Sequence, residues 1–262
     1  MYDVHCHILP GVDDGAGSLE EAVDMAIMAK NSGVQFIFAT PHYIEGIGYK
    51  DVTYNREVLD RLNSELCSRN VDIKIYLGCE VYSTPDVLKL LEKGQITTLD
   101  NSNYMLIELP MHDLPIYIDS IIYNLKLKGI TPIIAHPERN TKIIEDPNIL
   151  YRLISRGALA QLNLPSILGV YEEMVRNTAE ILLRHDMIHF VGTDAHKPSS
   201  RYYNISEATN ILNNLIGREK TLKITTTNPE AIAAGNNIEI EEPKMYKPKK
   251  GIKKIFSKLM RK

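Results

Sequence analysis

Residues 1–17 read Met-Tyr-Asp-Val-His-Cys-His-Ile-Leu-Pro-Gly-Val-Asp-Asp-Gly-Ala-Gly. Asp3 to His7 has the composition of a short strand. His5 and His7 stand two apart, so strand alternation sends both imidazoles to one side and Cys6 to the other. Two imidazoles on one face at a strand end can grip one metal ion. An isolated pair of this kind also suits an ordinary surface strand, so its weight depends on the rest of the chain. Ile8 to Gly17 is a loop punctuated by Pro10, Gly11, Asp13, Asp14 and Gly15. Ser18, with Glu21 three residues on, has the spacing of a capping box. The helix it opens carries Ala22, Met25, Ala26 and Ala29 at helical spacing and stops at Gly33.

Outward from this unit the same rhythm repeats. Further strands are expected at 34–40, 73–78, 104–109, 131–135, 158–164 and 188–192. Between them, helices are expected at about 51–70, 85–92 and 115–128, then one ending near 156, one at 167–185 and one at 206–215. A short segment at 222–225 reads as an edge strand. Strands alternating with helices imply parallel βα units. Seven such units close more naturally into a barrel than into an open sheet, and 262 residues is the size of a single α/β barrel. Phe36-Ile37-Phe38, Pro132-Ile133-Ile134 and His189-Phe190-Val191 have the apolar character of strands buried on both faces.

The bulk composition is that of a globular protein, with 44% apolar and 24% charged residues. Cys6, Cys67 and Cys79 are odd in number and widely spaced, which fits reduced thiols in a cytosolic protein, with Cys6 a small core residue. No signal-peptide pattern or membrane-span run stands out, so the expected location is cytoplasmic. The net charge of −3 hides an asymmetry: residues 241–262 carry +7 and residues 1–240 carry −10. The expected organisation is one catalytic domain, 1–240, and a basic tail, 241–262. An acidic body is a poor match for nucleic acid, whose backbone needs a basic surface.

Chemistry-bearing residues recur at the strand ends. His5 and His7 follow the first strand, Asp14 lies in the next loop, and His42 follows the second. Glu80 follows the third, Glu108 lies in the fourth, and His136 follows the fifth. Asp194 and His196 follow the seventh. In a βα barrel those ends meet on one face, where catalytic residues collect. Five imidazoles and four carboxylates without a thiolate are borderline-to-hard donors, suited to Mn²⁺, Fe²⁺ or Zn²⁺. Nine donors exceed the needs of one ion and would serve two or three.

The motifs Asp-Val-His-Cys-His-Ile-Leu-Pro-Gly-Val-Asp-Asp-Gly (3–15), Ala-Thr-Pro-His (39–42) and Gly-Cys-Glu (78–80) carry a resemblance. So do Leu-Ile-Glu-Leu-Pro (106–110), Ala-His-Pro-Glu-Arg-Asn (135–140) and Gly-Thr-Asp-Ala-His (192–196). Over residues 1 to about 235 the chain resembles the PHP (polymerase and histidinol phosphatase) superfamily, especially the bacterial tyrosine phosphatases of the CpsB/YwqE kind. The resemblance implies a distorted (β/α)7 TIM-like barrel, the PHP fold, and a manganese-dependent phosphatase with two or three ions. It assigns His5, His7, Glu80 and Asp194 to a first ion. Glu80, Glu108 and His136 would take a second, and Asp14, His42 and His196 a third. It implies hydrolysis of phosphotyrosine by a metal-bridging hydroxide, with Arg139 and Arg201 neutralising the phosphate. The implied substrate is the tail of a membrane-associated bacterial tyrosine kinase that regulates capsule or exopolysaccharide synthesis. Two other readings keep the fold: a phosphoesterase acting on a small phosphomonoester such as histidinol phosphate, and a non-catalytic scaffold. With all nine positions filled, the scaffold reading lacks its expected mark.

His112 reads as a loop histidine, and His185 and His189 as structural residues at the far end of the barrel. Tyr43 and Tyr49 suit either the mouth of the site or a solvent-facing loop. In the tail, Ile252, Ile255, Phe256, Leu259 and Met260 recur at helical spacing among lysines. That pattern fits a basic amphipathic helix in peripheral contact with an anionic membrane, and equally a solvated, disordered tail.

Overall fold

The structure is a computed structural model that describes residues 1–199 and 201–248. The chain enters on β1 (Tyr2–Cys6), crosses through α1 (Leu19–Asn31), and returns on β2 (Phe36–Ala39) and β3 (His42–Tyr43). After α2 (Val52–Ser68) come β4 (Lys74–Leu77) and β5 (Glu80–Tyr82), then α3 (Val87–Glu92) and β6 (Tyr104–Glu108). Next are α4 (Ile118–Leu127), β7 (Thr131–Ala135), α5 (Thr141–Glu145) and α6 (Asn148–Ser155). The series continues with β8 (Leu159–Asn163), α7 (Leu164–Ile167), α8 (Glu173–Arg184), β9 (Phe190–Gly192) and α9 (Ile205–Ile216).

Every strand pair recorded among the described residues is parallel. The strands form two runs, β1-β2-β4 and β3-β5-β6-β7-β8-β9. They are sections of one curled wall. β2 and β3 are a single strand broken at Thr40-Pro41, where proline has no N–H for the ladder. β4 and β5 are likewise broken at Gly78-Cys79. Hydrogen bonds continue across both breaks, from Gly78 N to Ala39 O (2.7 Å) and from Glu80 N to Pro41 O (3.0 Å). β9 meets β1 through Asp194 N to His5 O (2.8 Å) and His7 N to Ala195 O (3.0 Å). Seven strand positions therefore close on themselves, as a distorted (β/α)7 barrel.

Strand alternation divides the core. Val4, Phe36, Phe38, Leu106, Ile133 and Phe190 pack in the barrel interior. Ile37, Met105, Ile107, Ile134, Leu162 and Val191 face the helices. The register of β1 against β2 slips between Asp3 and Cys6, which leaves one extra residue on β1. A bulge of this kind re-aims side chains. It lets Val4 fill the interior while His5 and His7 enter the site above it. Cys6 is buried among the outward-facing core residues.

Ser18 caps α1 by accepting from Glu21 N (3.2 Å), but the Glu21 carboxylate reaches back to Gly17 N (2.7 Å) rather than to Ser18. The edge strand expected at 222–225 is absent. That segment is helical: Arg218–Leu222 is an α-helix, Lys223–Thr227 a π-helical turn, and Asn228–Ala233 an α-helix. Its threonines bond their own helix, Thr221 Oγ1 to Gly217 O (2.9 Å) and Thr225 Oγ1 to Thr221 O (2.7 Å). Asn228 Nδ2 then docks the segment on His189 O (2.9 Å).

Residues 241–248 lie against the body. Glu241 pairs with Lys220 (2.8 Å), Lys244 with Asp186 (2.6 Å), and the Tyr246 backbone makes two bonds to the Asn148 amide (2.8 and 3.1 Å). The tail's amphipathic stretch lies outside the described residues. Among the described residues, no helix is long and apolar enough to cross a membrane.

Candidate functional site

All nine candidate donors converge at the C-terminal rim of the barrel. Glu80, at the start of β5, is the hub. Its Oε2 lies 3.2 Å from His5 Nε2, 3.3 Å from His7 Nε2 and 2.9 Å from His42 Nδ1, and its Oε1 lies 2.9 Å from His136 Nε2. Asp194 Oδ1 stands 3.4 and 3.3 Å from the same two nitrogens of His5 and His7. Glu108 is 3.9 Å from both His42 and His136. At the outer edge Asp14 bridges His42 (3.6 Å) and His196 (3.5 Å).

The donor atoms fall into overlapping groups that fit an ion each. Asp14, His42 and His196 gather with His7, and His5 and His7 gather with Glu80. His42 groups with Glu80 and Glu108, while His136, as near to both carboxylates as His42 is, also joins His5 and Asp194.

The backbone is distorted where it presents these groups. His136 has φ +30° and Asp194 φ +51°, in the left-handed region that costs a non-glycine residue energy. Gly192 is required by proximity, because a Cβ there would sit 2.6 Å from the Cβ of His5.

Hydrogen bonds fix what the imidazoles offer. His5 Nδ1 donates to Gln161 Oε1 (2.8 Å), and His7 Nδ1 donates to Asp13 Oδ2 (2.8 Å). Both partners are acceptors, so in the neutral rings the Nε2 atoms carry lone pairs. Those two Nε2 atoms face each other at 3.1 Å, with Glu80 and Asp194 alongside. Glu80 Oε2 and His42 Nδ1 are both buried and stand 2.9 Å apart. A buried knot of carboxylates and imidazole nitrogens needs positive charge among them. Protons or metal ions can supply it, and the nitrogen and oxygen donors fit a borderline-to-hard divalent cation.

The charge field agrees. Burial alone would lower the pKa of His5, yet Glu80 and Asp194 raise it to about 9. Burial would raise Asp194, but His5, His7 and His136 hold it far below the usual carboxylate range. Asp13 is opposed by burial in the same way and is held at about 2, mainly by His7.

Three residues absent from the sequence-derived set orient the donors. Asp13, next to the chosen Asp14, is the buried one; besides His7 it accepts from His42 N (3.0 Å) and Gly15 N (2.9 Å). Gln161 and Asn163 come from β8, the one strand to which no donor was assigned. Leu159, Gln161 and Asn163 alternate along the interior face, all fully buried. Gln161 Nε2 donates to Asn163 Oδ1 (2.9 Å), and Asn163 Nδ2 donates to Asp194 Oδ2 (2.7 Å). The signal was there: two amides at strand spacing inside a strand that should be apolar on both faces.

Arg139 meets the cluster through Nη1 to Asp194 Oδ2 (3.0 Å), and its guanidinium lies over the Tyr171 ring at 4.8 Å. Arg201 does not join it. That side chain is exposed, stacked over Tyr202 at 4.7 Å, with no recorded hydrogen bond or ion pair to the nine donors among the described residues. Tyr49 approaches His42, ring centroids 6.5 Å apart, whereas Tyr43 is buried in the core. His112 is an exposed loop residue bonded to Thr141 Oγ1 (2.9 Å), on the wall of a cavity that also includes Arg139.

Residues 1–234 match the family described as capsular polysaccharide synthesis, CpsB/CapC. The chain is 35% identical over 250 residues to the tyrosine-protein phosphatase YwqE of Bacillus subtilis (strain 168), covering 95% of this chain and 98% of that one. It is 32% identical to the putative tyrosine-protein phosphatase CapC of Staphylococcus aureus, covering 80% of this chain and 82% of that one. Among solved structures, one from work on YwqE of Bacillus subtilis and CpsB of Streptococcus pneumoniae, described as metal-dependent tyrosine phosphatases, superposes with a TM-score of 0.91. The match is at 35% identity, over 95% of this chain and 100% of that one. A histidinol phosphate phosphatase from Lactococcus lactis shares the fold at 14% identity, with a TM-score of 0.56 over 82% of this chain and 93% of that one. The chain is a member of the CpsB/CapC family.

Proposed function

We propose that this enzyme is a metal-dependent tyrosine-protein phosphatase of capsule or exopolysaccharide synthesis, and that its preferred metal is manganese. The observation that carries this reading is the buried cluster of imidazoles and carboxylates around Glu80, in a chain whose relatives are named for that activity. We assign His5, His7, Glu80 and Asp194 to one ion, Glu80, Glu108 and His136 to a second, and Asp14, His42 and His196 to a third. The substrate we infer is a phosphotyrosine protein, the phosphorylated tail of a membrane-associated bacterial tyrosine kinase. When bound, divalent ions would supply Lewis-acid activation of water and neutralise phosphate charge.

The chain's own residues do the rest. Gln161 and Asp13 accept from Nδ1 of His5 and His7, so that in the neutral rings the Nε2 lone pairs face inward. Arg139 spends one nitrogen on Asp194 and is 27% exposed, which leaves N–H groups at the mouth for a phosphate oxygen. Tyr171 beneath its plane holds the guanidinium in place. The leaving phenol, of pKa about 10, departs readily enough that a strong general acid is less necessary than for phosphoserine.

A metal-stripped sample, reloaded separately with Mn²⁺, Fe²⁺ and Zn²⁺, tests this reading on a phosphotyrosine peptide, a phosphoserine peptide and histidinol phosphate. The expected result is metal-dependent hydrolysis of the phosphotyrosine peptide, highest with Mn²⁺. Activity that survives stripping, or preference for either of the other substrates, would overturn it.

A further inference from the structure

Beside the metal cluster a groove of about 900 Å³ runs down the outside of the barrel between α5–α6 and α8. Its upper end is walled by Arg139, Tyr171 and His112, and its lower end by Tyr246 and Pro248. The walls between are largely apolar, from Ile144 on one side and Met174, Val175 and Ile181 on the other. Of the three acids that line it, Glu145 pairs with Lys142 and Asp146 with Arg152, each at 3.4 Å, and Glu172 has no recorded ion pair among the described residues. With its middle walls largely apolar, the groove selects more by apolar contact than by charge. Its volume lies toward the upper end of pockets that take a drug-sized ligand, with room for more than one side chain.

Two features bear on the occupant. The groove is continuous with the candidate active site, because Arg139 belongs to both: one nitrogen bonds Asp194 while the guanidinium plane lies on the groove's Tyr171. The lower wall also already holds non-helical polypeptide, since Asn148 bonds both the N–H and the carbonyl of Tyr246. From Met174 to Ile181 the α8 wall is roughly 10 Å long, which an extended chain covers in about three residues.

We propose that this groove is the substrate-polypeptide subsite, and that it selects phosphotyrosine sequences with a large apolar side chain within about five residues of the phosphotyrosine. The proposal rests on the phosphatase reading above and adds the substrate class. A free aryl phosphate ends at Arg139, whereas a polypeptide continues past Tyr171 and buries its apolar side chain between Ile144 and α8.

The experiment compares kcat/KM for phosphotyrosine peptides in which Leu or Ser is scanned through five positions on either side, with p-nitrophenyl phosphate as reference. In the unmodified full-length protein, Leu at one or two positions on a single side should raise kcat/KM about tenfold over Ser, the scale of burying one such side chain. The variants Met174→Asp, at a side chain 36% exposed and so tolerant of change, and Asn177→Arg should each reduce that ratio to under about twofold. A flat scan with p-nitrophenyl phosphate still hydrolysed would overturn the subsite alone. So would a preference that survives both variants. Failure to hydrolyse every phosphotyrosine substrate, p-nitrophenyl phosphate included, would remove the phosphatase reading and the subsite together. If Phe256→Asp raised turnover of all peptides equally without changing the flank preference, the groove would belong to the chain's own C-terminus and the proposal would fall.

Discussion

The two ends of the barrel treat a buried histidine in opposite ways. His5 at the C-terminal rim and His189 at the base are both buried, and burial alone pushes both pKa values down. At the rim, Glu80 and Asp194 overcome it and raise His5 to about 9. At the base burial prevails, Lys223 adds to it, and His189 falls to about 4. Left-handed φ on non-glycine residues occurs at both ends, at Asn70, Asp100 and Asp186 in loops that enter strands and at His136 and Asp194 in loops that leave them. One end is arranged to hold positive charge among acceptors, and the other to keep a neutral ring inside a stable floor. The contrast follows the general division of βα barrels into a chemical face and a structural face.

The largest break in that comparison comes from removing a donor. With His136→Ala, hydrolysis of aryl phosphates should drop by at least about 10³-fold even at saturating Mn²⁺, while thermal unfolding stays close to the parent. Arg139→Ala should retain the metals, counted by elemental analysis, and lose about 10²-fold in kcat/KM, the usual scale for one charged contact to a developing oxyanion. Near-parental rates in either variant would strike that residue from the chemistry.

How much of the rim could be read in advance depended on what each residue does. Donors at strand ends were legible, because a His or Glu after an apolar strand breaks the composition and the barrel geometry brings all such ends together. Orienting residues were harder. Asp13 and Asp14 are neighbours of one type, and only the folded loop decides which turns inward to His7 Nδ1. Gln161 and Asn163 sit within β8 rather than after it, so they read as filler in a strand that had no donor. Arg201 differs again: its exposed guanidinium stacks on Tyr202, with no recorded bond to the nine donors among the described residues. The helical turn at 223–227 was missed because Lys-Ile-Thr-Thr-Thr has strong β propensity, overridden here by hydroxyls bonding back to their own helix.

The next effect tests those orienting groups. Gln161→Leu keeps the volume of β8 but leaves His5 Nδ1 without an acceptor, so the ring loses the bond that sets its tautomer. Partners of this kind are commonly worth 10- to 100-fold in metal affinity. Mn²⁺ affinity, measured by competition with a chelator, should weaken by that factor, and Asp13→Asn should act similarly through His7. The metal-free Gln161→Leu protein should also lose about 1–3 kcal/mol of stability for the buried groups left unpartnered, so affinity is compared on samples shown to be folded. Unchanged affinity in both would mean that the rim does not depend on those bonds.

The smallest effect belongs to the base and concerns stability alone. Ala160 N donates to His189 Nδ1 (3.2 Å), so the ring proton is on Nε2, which has no partner in its buried setting. The folded ring titrates at about 4 against an ordinary value of 6.5. Folded pKa below unfolded pKa means the unfolded chain takes up the proton first. Stability is therefore full above pH 6.5 and is lost as pH falls toward 4. Two and a half pH units of differential protonation correspond to about 3 kcal/mol. His189→Asn can still accept from Ala160 N but cannot titrate. In chelator, the parent's unfolding free energy relative to this variant should fall by about that amount between pH 7 and pH 4. Parallel stability curves would mean that His189 is protonated in place without penalty, and the base would then be no better at excluding charge than the rim.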